Sequence, residues 1–166
     1  MGDKQFTLQE LMDAYKDYRL IHYHPLDTKP YQNQFNNLSS RVFDAIELNE
    51  VKDQSFSSML SEFVNKKYKK DADFYKDIYM SRQLFSKIIN NQNYQPTRET
   101  VMKCCVGLKL GERDAQLLMM SAGYSFSSAL DLDLIVKMCL AKRCYDPMRI
   151  DQLLVKHQVK PLFALE

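Results

Sequence analysis

KKDADFYKDIYMSRQLFSKIINNQNYQ, residues Lys69–Gln95, reads as two short helices joined by a tight turn. The first carries Phe74 and Ile78 on one side, and Met80 bridges the turn. Ser81 suits the start of the second helix, because its hydroxyl accepts from the free N–H groups of the first helical turn. In that second helix Leu84, Phe85 and Ile88 point inward at helical spacing. Setting Arg82 at zero and advancing about 100° per residue puts Gln83, Ser86, Lys87 and Asn90 between about 40° and about 140°. One contiguous face therefore holds a guanidinium, two amides, a hydroxyl and an ammonium, with no acid. Such groups read base edges and phosphates in a DNA major groove.

The flanks extend the helical pattern. Upstream, Ser55 precedes Phe56, Met59, Leu60, Phe63 and Val64, which repeat as i, i+3, i+4, i+7, i+8. Downstream, a polar loop ends at Gln95-Pro96. Thr97 then caps a helix with Val101, Cys104, Cys105 and Leu108 inward. Gly111 opens a helix that buries Ala115, Leu118 and Met119, and Gly123 suits the left-handed residue that ends it. Asp131 is expected to cap a helix holding Leu134, Ile135, Met138 and Cys139. Asp146-Pro147 starts a last one with Ile150, Leu153 and Leu154. At the other end, Thr7-Leu8-Gln9-Glu10 is a capping box before Leu8, Leu11, Met12 and Tyr15. After His22-Tyr23-His24-Pro25 and a polar loop over 25–34, Phe35, Leu38, Val42, Phe43 and Ile46 predict a second amphipathic helix. The count is about nine helices with no strand of consequence.

The run Met80-Ser81-Arg82-Gln83-Leu84-Phe85-Ser86-Lys87-Ile88 resembles the second half of the helix-turn-helix in the lambda-repressor-like (Cro/C1, XRE) family. The similarity spans Ser55 to Tyr124, a five-helix order closing on Ala122-Gly123-Tyr124. It implies DNA binding, with the loop Asn90–Pro96 lying along the phosphate backbone. Three positions depart from the family. Asp71 stands where a phosphate-touching Gln is usual, Tyr79 where the turn usually has Gly, and Ile89 where a polar residue is usual, at about 340° on the edge of the polar face.

The chain has 166 residues, 45% hydrophobic and 27% charged, ordinary for a globular protein with a proper core. Net charge is only +2, but it is unevenly spread. Residues 1–50 hold five basic and eight acidic side chains, net −3, whereas residues 66–103 hold nine and four, net +5. A basic middle fits a phosphate-facing patch and equally a solvated helix end. No run of about 18 apolar residues predicts a membrane span, and the N-terminus lacks a signal-peptide core, so the expected location is the cytoplasm. The four cysteines, Cys104, Cys105, Cys139 and Cys144, form no CxxC pair and are expected as buried thiols. His22 and His24 have no partner at ligand spacing, so neither a metal nor a cofactor is expected. No phosphate-cradling Gly loop, nucleophile elbow or HExxH occurs, so no catalytic residue is assigned and an enzyme is not expected.

The expected fold is all-α: a five-helix lambda-repressor-like helix-turn-helix core over 51–126, an N-terminal helical arm over 1–50, and a C-terminal extension over 127–166 packed on the core. Two functions from different classes remain. In one, the chain is a transcriptional regulator that binds double-stranded DNA, as a homodimer, through the helix Ser81–Asn91. Arg82, Gln83, Ser86, Lys87, Asn90 and Asn91 face the groove, and Lys66, Lys67, Lys69, Lys70 and Arg98 hold phosphates. In the other, the same fold is a protein-interaction module, part of a larger signalling or defence protein, with Ile89 and Tyr79 on the partner surface and a Tyr-rich arm for docking.

Overall fold

The computed structural model describes residues 4–23 and 54–164. Among the described residues there are eight helices and no strand: α1 Leu8–His22, α2 Phe56–Lys67, α3 Asp71–Asp77, α4 Arg82–Asn90, α5 Arg98–Gly107, α6 Glu112–Ser121, α7 Asp131–Lys142 and α8 Pro147–Lys156. The helix expected from Phe35, the loop at 25–34, His24 and residues 51–53 of the expected linker lie outside the described residues. No described helix is long and apolar enough to cross a membrane.

Local chemistry sets most of the helix starts. Thr7 and Glu10 close a reciprocal capping box on α1. Ser55, Ser81 and Thr97 each accept from the N–H three residues on, and Asp146 accepts from Met148 and Arg149 ahead of Pro147. Asp131 behaves otherwise than expected. Leu130 is the N-cap of α7 and makes no side-chain cap bond. Asp131 is already helical, and its carboxylate is taken by another helix: it accepts from the Tyr15 hydroxyl at 2.6 Å and from Arg19 Nε at 3.0 Å.

Packing then divides the helices into two groups that meet at α7. α2 lies against α3, α4 and α6, and α5 lies against α6. Phe74 of α3 and Ile78 just past its end are fully buried, each contributing about 1.5–3 kcal/mol of apolar burial. Ile78 reaches so close to α5 that a Cβ on Gly107 would stand 2.1 Å from its Cγ2, so only glycine fits there. α1 packs against α7 and α8, which also pack on each other, and α7 touches α6. The N-terminal helix thus joins the two C-terminal ones, with Leu11 and Tyr15 buried. Asp151 of α8 accepts from the N–H groups of Leu162 and Phe163, which seats both side chains in the core.

His157 ends α8 against the edge of Tyr15, with ring centroids 4.6 Å apart. Its Nε2 is buried without a hydrogen-bond partner. Burial lowers the His157 pKa from 6.5. Asp131 of α7 pulls it back up, while Arg19 and Lys16 of α1 push it further down. The unfolded chain therefore takes up this proton first, and folding loses stability as pH falls below about 6.5. Burial raises Asp131, but its bonds from Tyr15 and Arg19 outweigh that and hold it below 3.8, so its contribution is lost only at more acid pH. Denaturant melts between about pH 7 and about pH 5 should show falling stability, and His157→Phe should flatten that slope. An unchanged slope in the variant would remove His157 as its source.

Candidate nucleic-acid interface

α4 is seated by its apolar side. Phe85 and Ile88 are buried, with the Phe85 ring 5.8 Å from Phe74 and 5.5 Å from Tyr75. The Ser57 hydroxyl of α2 donates to the Ile89 carbonyl at 3.0 Å and pins the far end of the helix. Before α4 the chain turns through Ile78, Tyr79 and Met80. The N–H of Tyr79 donates to the Lys76 carbonyl at 3.1 Å, and that of Met80 to the Tyr75 carbonyl at 2.8 Å. This paired pattern ends a helix through one left-handed residue, here Tyr79 at φ 54°. The turn thus has the backbone that glycine usually supplies, held by a tyrosine that is 45% exposed.

The opposite side of α4 faces solvent. Arg82, Gln83, Ser86, Lys87, Asn90 and Asn91 are all exposed, and the first turn of α4 has no acid. Asn90 Nδ2 donates to Ser86 Oγ at 3.0 Å, and Lys87 Nζ lies 4.9 Å from the centre of the Tyr94 ring. The loop that follows is shaped from within. Asn91 Oδ1 accepts from the Asn93 N–H, and Gln95 Nε2 donates to the Ala122 carbonyl at 2.7 Å. Tyr124 donates to the Pro96 carbonyl at 2.9 Å, which ties the Gly123-Tyr124 corner to the start of α5.

The candidate phosphate contacts separate. Lys69 and Lys70 are exposed just ahead of α3. Lys66 pairs with Glu62 one helical turn back, at 2.5 Å. Lys67 reaches across to donate to the Leu108 carbonyl. Arg98 departs furthest from expectation. Its Nη1 donates to Asp133 Oδ1 at 2.9 Å, its Nη2 to Asp133 Oδ2 and also to the Ser125 carbonyl at 2.9 Å. Asp133 is fully buried and accepts in addition from the Ser127 N–H. Burial pushes its carboxyl up, against the pull of the Ser127 N–H and the Arg98 guanidinium. Arg98 is therefore held by Asp133 and the Ser125 carbonyl and does not stand as a free surface cation. One sequence signal pointed there: Asp133 shares a helical stripe with Val136 and Leu140, where an acid needs a buried partner.

Ile89 is half-buried and packs on the core rather than standing out as an exposed apolar residue. The wheel placed it at the edge of the polar face, but α2 lies over that end of α4. Among the described residues no cluster of three or more His, Cys, Asp and Glu is arranged to hold a metal.

Removing one member of a buried ion pair strands the other. Arg98→Met should cost about 3–5 kcal/mol, and adding Asp133→Leu should restore most of it. Equal losses in the single and double variants, read by denaturant melts, would contradict a buried pair. Comparison of the chain with protein-family models, curated proteins and solved structures finds no match.

Proposed function

We propose that the chain is a DNA-binding protein built on a lambda-repressor-like helix-turn-helix, with α3 and α4 as the two helices and α4 lying in the major groove. A role as a transcriptional regulator follows from that reading. One observation carries it: the solvent side of α4 presents Arg82, Gln83, Ser86, Lys87 and Asn90 together without an acid, on a helix fixed by Phe85, Ile88 and the Ser57 bond. Bidentate donors and acceptors such as Arg, Gln and Asn match base edges in that groove. Lys69 and Lys70 stand where a backbone phosphate would pass the start of α3, and Lys87 adds charge on the groove side. The Ser86–Asn90 bond is exposed and exchanges for base or phosphate contacts at little cost.

The interaction-module reading retains one specific feature, the exposed Tyr79 ring beside the acidic α3, which carries Asp71, Asp73 and Asp77. It loses Ile89 as an anchor.

The test is anisotropy with labelled duplex DNA of mixed sequence at low salt. The wild-type chain should bind. Lys87→Glu should lose about ten-fold or more with an unchanged melting curve, because it removes a cation and adds a repulsion. Asp71→Asn should tighten binding. Unchanged affinity in the Lys87 variant would sink the assignment of α4 to the groove.

A further inference from the structure

A cleft of about 830 Å3 opens between residues 4–7, the ends of α3 and α5, and the turn from α7 to α8. None of the exposed residues of α4 lines it. Its charge is one-sided. Lys4, Lys76, Lys109 and Arg149 bring four cations from four separate stretches of chain, against the two carboxylates of Asp77 and Asp146, a surplus of two positive charges. Both carboxylates are already engaged. Asp146 accepts from the Met148 N–H at 2.9 Å as the cap of α8, and Asp77 stands 3.1 Å from the Tyr68 hydroxyl. Lys4 and Lys76 are exposed and make no ion pair among the described residues.

The walls are also aromatic, and the rings are held in place. The Tyr68 hydroxyl donates to the Gly107 carbonyl at 2.8 Å, and the Tyr145 hydroxyl to the Leu110 carbonyl at 3.0 Å. Each hydroxyl is thus tied to the backbone at the end of α5, and each ring stands as wall. Tyr79 and Lys109 line the cleft too, at φ 54° and 51°, two of the four left-handed non-glycine residues among the described residues. Glycine takes this backbone without strain, so both positions keep a side chain, one aromatic and one cationic, at a conformational cost.

We propose that this cleft binds a nucleoside monophosphate, with the phosphate among the four cations and the flat base against the tyrosine rings. One phosphoryl group carries roughly −1.5 to −2 charge at neutral pH, which matches the surplus. Lysine and arginine hold phosphate oxygens through charge-assisted hydrogen bonds. An aromatic wall accepts any base, because every base has a π-face. The volume falls within the usual range of small-molecule pockets, about 300–1,000 Å3. The site is independent of the DNA reading, since it asks nothing of the α4 face.

The test is calorimetric titration of the folded chain with each of the four ribonucleoside 5′-monophosphates, and with the matching nucleoside and inorganic phosphate separately. At least one nucleotide should bind with a dissociation constant below about 1 mM, about ten-fold or more tighter than either half alone. Lys4→Glu combined with Lys76→Glu should weaken it by about ten-fold or more, with an unchanged melting curve because both side chains are exposed. Tyr145→Leu should weaken it as well; if that variant does not fold, the lysine pair decides alone. No binding of any of the four nucleotides at 1 mM would overturn the proposal, as would a nucleoside that binds as tightly as its nucleotide. Affinity that falls with Lys87→Glu and not with the lysine pair would place the nucleotide on α4 and overturn it too.

Discussion

Two carboxylates in the first turn of α7 tie the molecule together. Asp131 and Asp133 are two residues apart, so their side chains leave the helix about 200° from each other. Asp131 points to α1 and takes the Tyr15 hydroxyl and Arg19. Asp133 points into the core and takes both arms of Arg98 at the start of α5, while the Ser127 N–H folds the preceding loop onto it. The two partnerships differ in character. The first sits at a half-exposed rim and is screened by solvent. The second is enclosed, so its value lies in direction: an Arg98 held in two places fixes where α5 begins. The loop from Asn91 to Pro96 runs from α4 to that point, while buried Phe85 and Ile88 and the Ser57 bond set α4 with its polar side outward.

Most of the helices were legible in the chain because their determinants are local. A hydroxyl or carboxylate at the cap, an apolar stripe at helical spacing and a glycine past the end lie within a few residues of one another, as in Thr97 with Val101 and Leu108, or Asp146 with Pro147. The exposed face of α4 was legible for the same reason, since a helical wheel needs only the sequence. What escaped depends on partners distant in the chain. Arg98 looks like a free cation until Asp133, 35 residues away, is folded onto it. Lys67 ends on a carbonyl 41 residues away. Ile89 looks like an edge residue on an isolated wheel, yet α2 covers it through Ser57, 32 residues earlier. Asp131 shows the same limit in reverse: its position suits a cap, and a stronger offer from α1 takes it elsewhere.

The acids of α3 have a structural reason that bears on function. α3 is only seven residues long, and its N-cap, Lys70, makes no side-chain cap bond. Asp71 and Asp73 in its first turn compensate by facing the positive end of the helix dipole. A short helix without a cap keeps acids there, and a phosphate passing the same point is repelled by them. The exposed cations around it, Lys69 and Lys70 on one side and Arg82 and Lys87 on the other, must outweigh that repulsion for DNA to bind. On the proposed reading, binding would be electrostatically modest, carried by few phosphates and tuned by α4.

The salt dependence of binding measures this most directly. Four cations, Lys69, Lys70, Arg82 and Lys87, predict that the logarithm of the association constant for duplex DNA falls against the logarithm of salt concentration with a slope of about −3 to −4. A titration of labelled duplex over a salt series gives that slope. A value in this range would support a groove-bound α4 flanked by a small phosphate patch. No binding at low salt would contradict the account and leave the α4 face to a protein partner.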